Sequence, residues 1–453
     1  MHVSRLALDD FRSWRHVVVD FAPGVTILQG ANGLGKTNLV EAIEVLSTGA
    51  SHRTSSSLPL VARGCPAATI RANVVTDDGA GAGNDTGDST GADETTYEVT
   101  IRAKGTNRAR INGGPSLYMR DVVGQIPSVA FTPDDQRLVA GDPSSRRTFL
   151  NQACSLLVPG YQARLAEFTK IGKQRAALLK QLGRGGNAFG GFGDDSRGRV
   201  PDESSDNFSR FDPARDAALS GLEVWTGQFI EAGVELTRDR DRVLAQLAGP
   251  FTELYAMMAP DGGTASLAYE PSFDDVLLHP DDPDAAKAGI SRHFQRIYAG
   301  EVSRGINLIG PQRDDFALRL DGVPAREFAS NGEMWTMALA LKMALFELVE
   351  ARDGVKPIVI LDDVFAQLDE TRRAQILAFA AAQDQVLITV AAASDIPGAA
   401  SLGSATIIDV AALKAGNGND SHGQMTGSLD DLATMGELGA MALALAKKKD
   451  GNE

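Results

Sequence analysis

Apolar and polar residues alternate over positions 3–8, and positions 14–21 carry Val17-Val18-Val19 ahead of a Pro23-Gly24 turn. This period of two predicts an antiparallel opening to a β-sheet. Gly24-Val25-Thr26-Ile27-Leu28 predicts a further strand. Leu39, Ile43 and Leu46 then recur at helical spacing until Gly49 closes the run. Two more strands are expected over 67–75 and 96–102. The stretch between them, 77–95, is built of Gly, Ala, Asp and Thr and cannot bury a core, so it is expected to be a disordered hairpin extension.

The texture turns helical from about residue 144, with Leu, Ala, Arg and Lys dominating 161–182. A second low-complexity insert is expected over 183–215. Helical pattern resumes over 217–247, a mixed stretch covers 268–276, and another helix is expected over 285–300. Sheet pattern returns at 316–320 and 357–361. The organisation expected is therefore an α/β nucleotide-binding domain in two halves, 1–143 and 301–412, interrupted by a helical lobe, 144–300. Residues 413–453 form a Gly/Asn/Asp-rich tail with one Ala/Leu helix over 432–446 and a Lys447-Lys448-Lys449 end. No internal repeat is visible.

The chemistry begins between the third strand and the first helix. Gly30-Ala31-Asn32-Gly33-Leu34-Gly35-Lys36-Thr37 fills every position of the phosphate-binding loop. Its glycines let backbone N–H groups face phosphate oxygens, and the following helix presents its positive end. Lys36 is placed to reach the outer phosphates and the Thr37 hydroxyl to ligate Mg²⁺, so the loop implies nucleoside-triphosphate binding. Such a loop calls for a second, carboxylate-ended strand, and Ile358-Val359-Ile360-Leu361-Asp362-Asp363 supplies one. Asp362 is the candidate metal ligand and Asp363 the candidate group for polarising the attacking water. Ser330-Asn331-Gly332-Glu333 precedes a helix with an apolar stripe at Met334, Ala338, Leu341, Leu345 and Leu348. Ser330 reads either as an N-cap closed by Glu333 or as part of a phosphate-binding helix start.

With 453 residues, 43% apolar and 23% charged, the chain is long enough for a large core. A net charge of −15 leaves nucleic-acid binding to a local basic surface. No apolar run has the length of a membrane span, and the first residues lack a signal-peptide profile. Cys65 and Cys154 lie far apart in no metal-ligand spacing, which suits a reducing cytoplasm.

The loop, the Ser-x-Gly-Glu element, the Asp-Asp strand and Leu368-Asp369 together resemble the ABC/SMC head ATPases, in their recombination-repair branch. Further matching segments are Leu6 to Trp14, Ser51-His52-Arg53-Thr54, Phe131-Thr132-Pro133-Asp134-Asp135, Gly141 to Arg147, Gly310 to Asp315 and Leu361 to Asp369. The resemblance spans about residues 1–412, apart from the two inserts. It implies an α/β ABC-type P-loop head with a mixed β-sheet and an inserted helical lobe in place of long coiled coils. It also implies an ATP-sandwiched homodimer, in which Ser330 and Gly332 of one subunit meet the γ-phosphate held by Lys36 of the other. Arg53 is similar to the arginine that reaches the phosphates, and Asp369 to the loop residue that crosses the interface. Asp363 stands where most such ATPases have Glu, which suits slow, switch-like hydrolysis. Two departures are Gln312, where the family usually has His, and the missing switch histidine after Val386-Leu387-Ile388-Thr389-Val390. Gln136 is the candidate lid glutamine.

Basic residues group in Arg102, Lys104, Arg108 and Arg110 beside a hairpin tip, in Arg137, Arg146 and Arg147, and in Lys170, Lys173, Arg175 and Lys180. Without interleaved aromatics they suit duplex phosphates better than stacked single-stranded bases. The resemblance favours the hairpin and Arg146/Arg147 as DNA contacts. It further implies action at single-strand/double-strand junctions, a RecR-type mediator as partner, help in loading RecA, and roles in replication and SOS induction. The alternatives are the ATPase subunit of a transporter and an SMC-like tether. The first would carry a switch His; the second needs heptad arms longer than this chain provides.

Overall fold

The computed structural model describes residues 1–54, 56–76, 93–187, 213–392, 395–396 and 405–416. They form two compact units. One holds Met1–Gly160, Val243–Ala268 and Ala317–Glu453, and the other Tyr161–Arg242 and Tyr269–Phe316. The strands are, in chain order, β1 (His2–Phe11), β2 (Trp14–Asp20), β3 (Gly24–Gln29), β4 (Ala67–Thr76), β5 (Asp93–Arg102), β6 (Arg108–Ile111), β7 (Leu117–Tyr118), β8 (Ser128–Phe131), β9 (Ala265–Glu270), β10 (Asp315–Leu320), β11 (Val323–Pro324), β12 (Ile358–Asp362), β13 (Gln385–Val390) and β14 (Thr406–Asp409).

The mixed sheet expected from the sequence divides into separate sheets of one kind each. β2-β1-β4-β5-β6-β7 is antiparallel throughout, and β14-β3-β13-β12-β8 is parallel throughout. The residue patterns explain the split. In the antiparallel sheet one face is buried and the other solvated, so Ala68, Ile70, Ala72 and Val74 alternate with half-buried Thr69, Arg71 and Asn73. In the parallel sheet β12 and β13 are buried at every position, with consecutive apolar residues over 358–361 and 386–388. Gln385 ties the two sheets together: its side-chain amide accepts from Val3 N and donates to Val3 O, both at 2.8 Å. A third, three-stranded sheet has the order β11-β10-β9.

The helix Lys36–Thr48 follows β3 and the helix Asn331–Asp353 covers β8. The second of these departs from the expected single stripe. It is buried on all sides from Met334 to Phe346, including Thr336 and Lys342. It packs on several elements at once, among them the helix Pro143–Leu157. Lys342 stays tolerable inside because its ammonium donates to Ala130 O at 2.9 Å and pairs with Asp135 at 3.4 Å. The lobe boundary expected at residue 144 moves for a related reason. Pro143–Leu157 belongs to the unit containing the phosphate loop, and Gln152 Nε2 donates to Glu44 Oε1 on the first helix at 2.9 Å. Residues 243–268 also belong to that unit rather than to the lobe.

The other unit is mainly helical, with Tyr161–Asn187, Pro283–Arg304 and the first part of Pro213–Met258. Its interior carries two ion pairs, Arg175 with Glu301 at 2.6 Å and Arg240 with Asp314 at 2.7 Å. Arg175 also stacks over Phe294, 4.4 Å from the ring centroid. It is therefore a core residue, and the basic group in which the sequence placed it loses that member. The expected inserts are narrower than drawn, since 93–95 lie in β5, 183–187 in a helix and 213–215 in the next helix. Their remaining residues, and the tail helix expected over 432–446, lie outside the described residues.

Candidate nucleotide site and basic surface

The loop between β3 and the first helix has the backbone its glycines require. Gly33 and Gly35 take φ values of +84° and +104°, where L side chains are strained. Gly35 has a second reason to be glycine. A Cβ there would lie 2.8 Å from both Ser13 Oγ and Trp14 Nε1. The β1–β2 turn thus props the loop from beneath: Trp14 Nε1 donates to Gly35 O at 3.0 Å, and Asn38 Nδ2 donates to Ser13 Oγ at 2.8 Å. Lys36 is turned into the loop, donating to Gly30 O (2.5 Å), Ala31 O (3.2 Å) and Asn32 Oδ1 (3.2 Å). Burial pulls its pKa below the ordinary lysine value, against the carboxylates of Asp363, Asp362 and Asp395.

β12 delivers the acidic pair to the same place, because it lies beside β13, which pairs with β3. Buried Asp362 accepts from Thr37 Oγ1 at 2.9 Å and from Thr389 Oγ1 at 2.6 Å. Thr389 also receives Asp363 N at 3.0 Å, so one threonine of β13 fixes both acidic residues. Asp363 sits at φ +53°, in the left-handed region that aspartate tolerates better than most residues. Burial and then the neighbouring Asp362 raise its pKa, with Lys36 opposing. A hydroxyl and a carboxylate oxygen side by side form a hard-oxygen pair suited to Mg²⁺ shared with phosphate oxygens. Among the described residues no cluster of three metal-binding side chains occurs, and a cation held chiefly by phosphates needs none.

Arg53 is held over the start of the first helix, donating to Asn38 Oδ1 at 2.9 Å and Glu41 Oε2 at 3.1 Å. Glu41 is fully buried and also binds Arg12 and Ser51 Oγ, so it gathers three elements beside the loop. Nothing in the sequence pattern marked Glu41 or Thr389. A cleft of about 270 Å³ next to Arg53 is lined by His52, Arg137, Ser144, Ser145 and Lys342 among others.

Ser330 caps its helix with the full reciprocal pattern. Its Oγ accepts from Glu333 N at 3.3 Å, and Glu333 Oε2 accepts from Ser330 N at 2.7 Å. The bland reading of this motif is thus a real feature of the fold, and it leaves Ser330 exposed at the helix end. Gln136 Nε2 donates to Asn331 Oδ1 at 3.3 Å, linking the candidate lid glutamine to the same turn. Asp369 caps the helix Glu370–Ala381 by accepting from Arg372 N at 2.9 Å, and its side chain is 54% exposed.

On the antiparallel sheet Arg102, Lys104 and Arg110 are exposed where β5 turns into β6. Arg110 faces Glu98 across the strands. Tyr118, which the sequence reading passed over, is 39% exposed, with Arg108 and Arg120 each 4.3 Å from its ring centroid. Arg146 must leave the DNA-facing set. It is 7% exposed and donates to Leu138 O and Gly141 O (2.9 Å for the latter), closing the turn before its own helix. Arg147 is half-buried.

Residues 2–406 match the model of the RecF/RecN/SMC N terminal domain. The DNA replication and repair protein RecF of Bifidobacterium adolescentis is 60% identical over 446 residues, covering 98% of this chain and 96% of the relative. This chain belongs to the RecF family. The RecF protein of Rhodococcus erythropolis is 37% identical over 88% of this chain and 91% of its own length. A solved structure, described as "Structure of the recombination mediator protein RecF-ATPrS in RecFOR pathway", superposes with a TM-score of 0.71. It is 23% identical and covers 90% of this chain and 96% of the other. That likeness shows the fold alone, an α/β head shared with the RecF structure. Among the described residues no helix is long and apolar enough to cross a membrane.

Proposed function

We propose that this chain is an ATP-dependent DNA-binding protein of replication and recombinational gap repair; the names of its RecF relatives carry the replication and repair part of this role. The observation that carries the reading is the 2.9 Å contact between Thr37 Oγ1 and Asp362 Oδ1, made beside a complete phosphate loop. ATP binds with its outer phosphates at Lys36 and the loop amides. Thr37 and Asp362 would hold Mg²⁺, which when bound neutralises phosphate charge. Asp363 orients the attacking water, and its short side chain makes hydrolysis slow, a switch rather than a source of product. Arg53 adds a cation at the phosphates once drawn from Glu41.

ATP closes a homodimer in which Ser330 and Gly332 of one subunit meet the γ-phosphate of the other, with Asp369 crossing the interface. The dimer holds duplex DNA at single-strand/double-strand junctions through Arg102, Lys104, Arg108 and Arg110, with Arg147 as a lesser contact. A RecR-type mediator joins it there, and the assembly helps load RecA, which links it to SOS induction. All of this takes place in the cytoplasm. Sedimentation velocity with Mg²⁺–ATP and duplex DNA tests the reading: the wild type should dimerise and co-sediment with DNA, and Lys36→Met should do neither. Unchanged ATP-stimulated DNA binding by Lys36→Met would sink it.

A further inference from the structure

Arg372 stands where an anion brought to the start of the Asn331–Asp353 helix meets a cation that the sequence did not flag. Its Nε donates to Thr336 Oγ1 at 2.9 Å, one turn inside that helix, and Thr336 Oγ1 donates to Gly332 O at 3.0 Å. Its Nη1 pairs with Asp369. A Cβ on Gly332 would lie 2.8 Å from Nη2, 3.3 Å from Cζ and 3.4 Å from Nη1. The guanidinium therefore lies against Gly332, and a side chain there would push its flexible end aside. The side chain is 21% exposed. Glu333, the acidic residue of the turn, is directed back to Ser330 N. Ser330 Oγ, the first amides of a 23-residue helix and a guanidinium edge thus converge on one spot.

We infer that Arg372 is a phosphate-contacting residue supplied in trans, with Nη2 donating to the terminal phosphate of the nucleotide held by the Lys36 loop of a second copy. The inference rests on the two-subunit reading of Ser330 given above. In the single chain Asp369 neutralises Arg372. Asp369 is also the residue expected to cross the interface, so closure of the dimer draws the carboxylate away and leaves the guanidinium facing phosphate. Arginine fits the task because its charge is permanent and its donors are splayed in a plane that matches phosphoryl oxygens. It makes and breaks no bond; it stabilises charge on oxygens during transfer to water.

Mixing experiments with the full chain decide the matter. Arg372→Ala should bind ATP as the wild-type monomer does and lose hydrolysis roughly 10²–10³-fold. Lys36→Met is inactive for a different reason. Mixed together, the two variants form one composite site with an intact loop from the first and an intact Arg372 from the second, and hydrolysis should rise well above either alone. A mixture as inactive as its parts would mean that Arg372 serves its own loop, and overturns the inference. Arg372→Gln can still brace Thr336 but carries no charge, and should be as slow as Arg372→Ala; wild-type hydrolysis by this variant would reduce Arg372 to a brace. Ser330→Arg separates the two levels of the reading. If Ser330→Arg dimerises normally with ATP, the two-subunit site itself falls. If it cannot dimerise while the Arg372 variants hydrolyse normally, only the assignment of Arg372 falls.

Discussion

At the scale of single residues, the site is set by pairs whose members lie far apart in the chain. Thr389 bridges Asp362 and the backbone of Asp363, so the metal-binding and water-orienting roles proposed for them would be separated by geometry rather than by residue type. Asp363→Asn should keep Mg²⁺–ATP binding and slow hydrolysis by roughly 10²-fold or more, leaving a longer-lived dimer on DNA. Wild-type turnover in single-turnover assays would remove Asp363 from the mechanism. His52 offers a reading against pH. Burial disfavours its protonated ring, but Glu44, 2.7 Å from Nδ1, outweighs burial and holds the pKa above the ordinary value of 6.5. The stability this pair contributes is fully present below that value and is lost as pH rises through the higher pKa of the folded state. Urea unfolding from pH 6 upward should therefore show a decline that His52→Gln flattens. Identical slopes for both proteins would reject the pair as its source.

Among elements, the β1–β2 turn has a function that its sequence only half discloses. Trp14 opens β2 beside the 30–37 loop. At 1% exposure it is a prop whose indole N–H holds Gly35 O. Trp14→Phe keeps the ring and loses the donor, so it should cost about 0.5–1.5 kcal/mol and weaken ATP and ADP binding alike, measurable by calorimetry. Unchanged affinity for both nucleotides would show that the loop stands without this contact. Alternation made β1 legible, the valine run before Pro23-Gly24 made β2 legible, and the loop spacing singled out Lys36 and Thr37, because those signals are local. The long burial of the Asn331–Asp353 helix was not legible beyond its stripe, since Lys342 looks solvent-bound until Ala130 O and Asp135 are placed beside it. Arg175 failed as a surface charge for the same reason, since its partner Glu301 lies in another helix, whereas Arg146 is turned back onto the carbonyls of Leu138 and Gly141 just ahead of its own helix. Arg372 carried no signal in the sequence, because its contacts with Gly332 and Thr336 come from another helix.

For the whole molecule, the ends of β4 and β5 make a direct statement about the first insert. Thr76 and Asp93 are already paired across the strands, so β4 and β5 keep their register right up to the insert. Replacing residues 77–92 with a short Gly-Ser turn should leave thermal stability and ATP binding near wild type; a chain that no longer folds would show that the segment contributes to the head. The parallel sheet carries a different message. β3, the strand that leads into the phosphate loop, lies between β13 and β14, both of which are encoded more than 350 residues later. During synthesis at about 5–20 residues per second, β3 waits roughly 20–70 s for its neighbours. Throughout that interval the ribosome displays an apolar strand that has nothing to pair with, so a chaperone that shelters it, or a pause that lengthens the wait, will govern how much active protein a cell obtains.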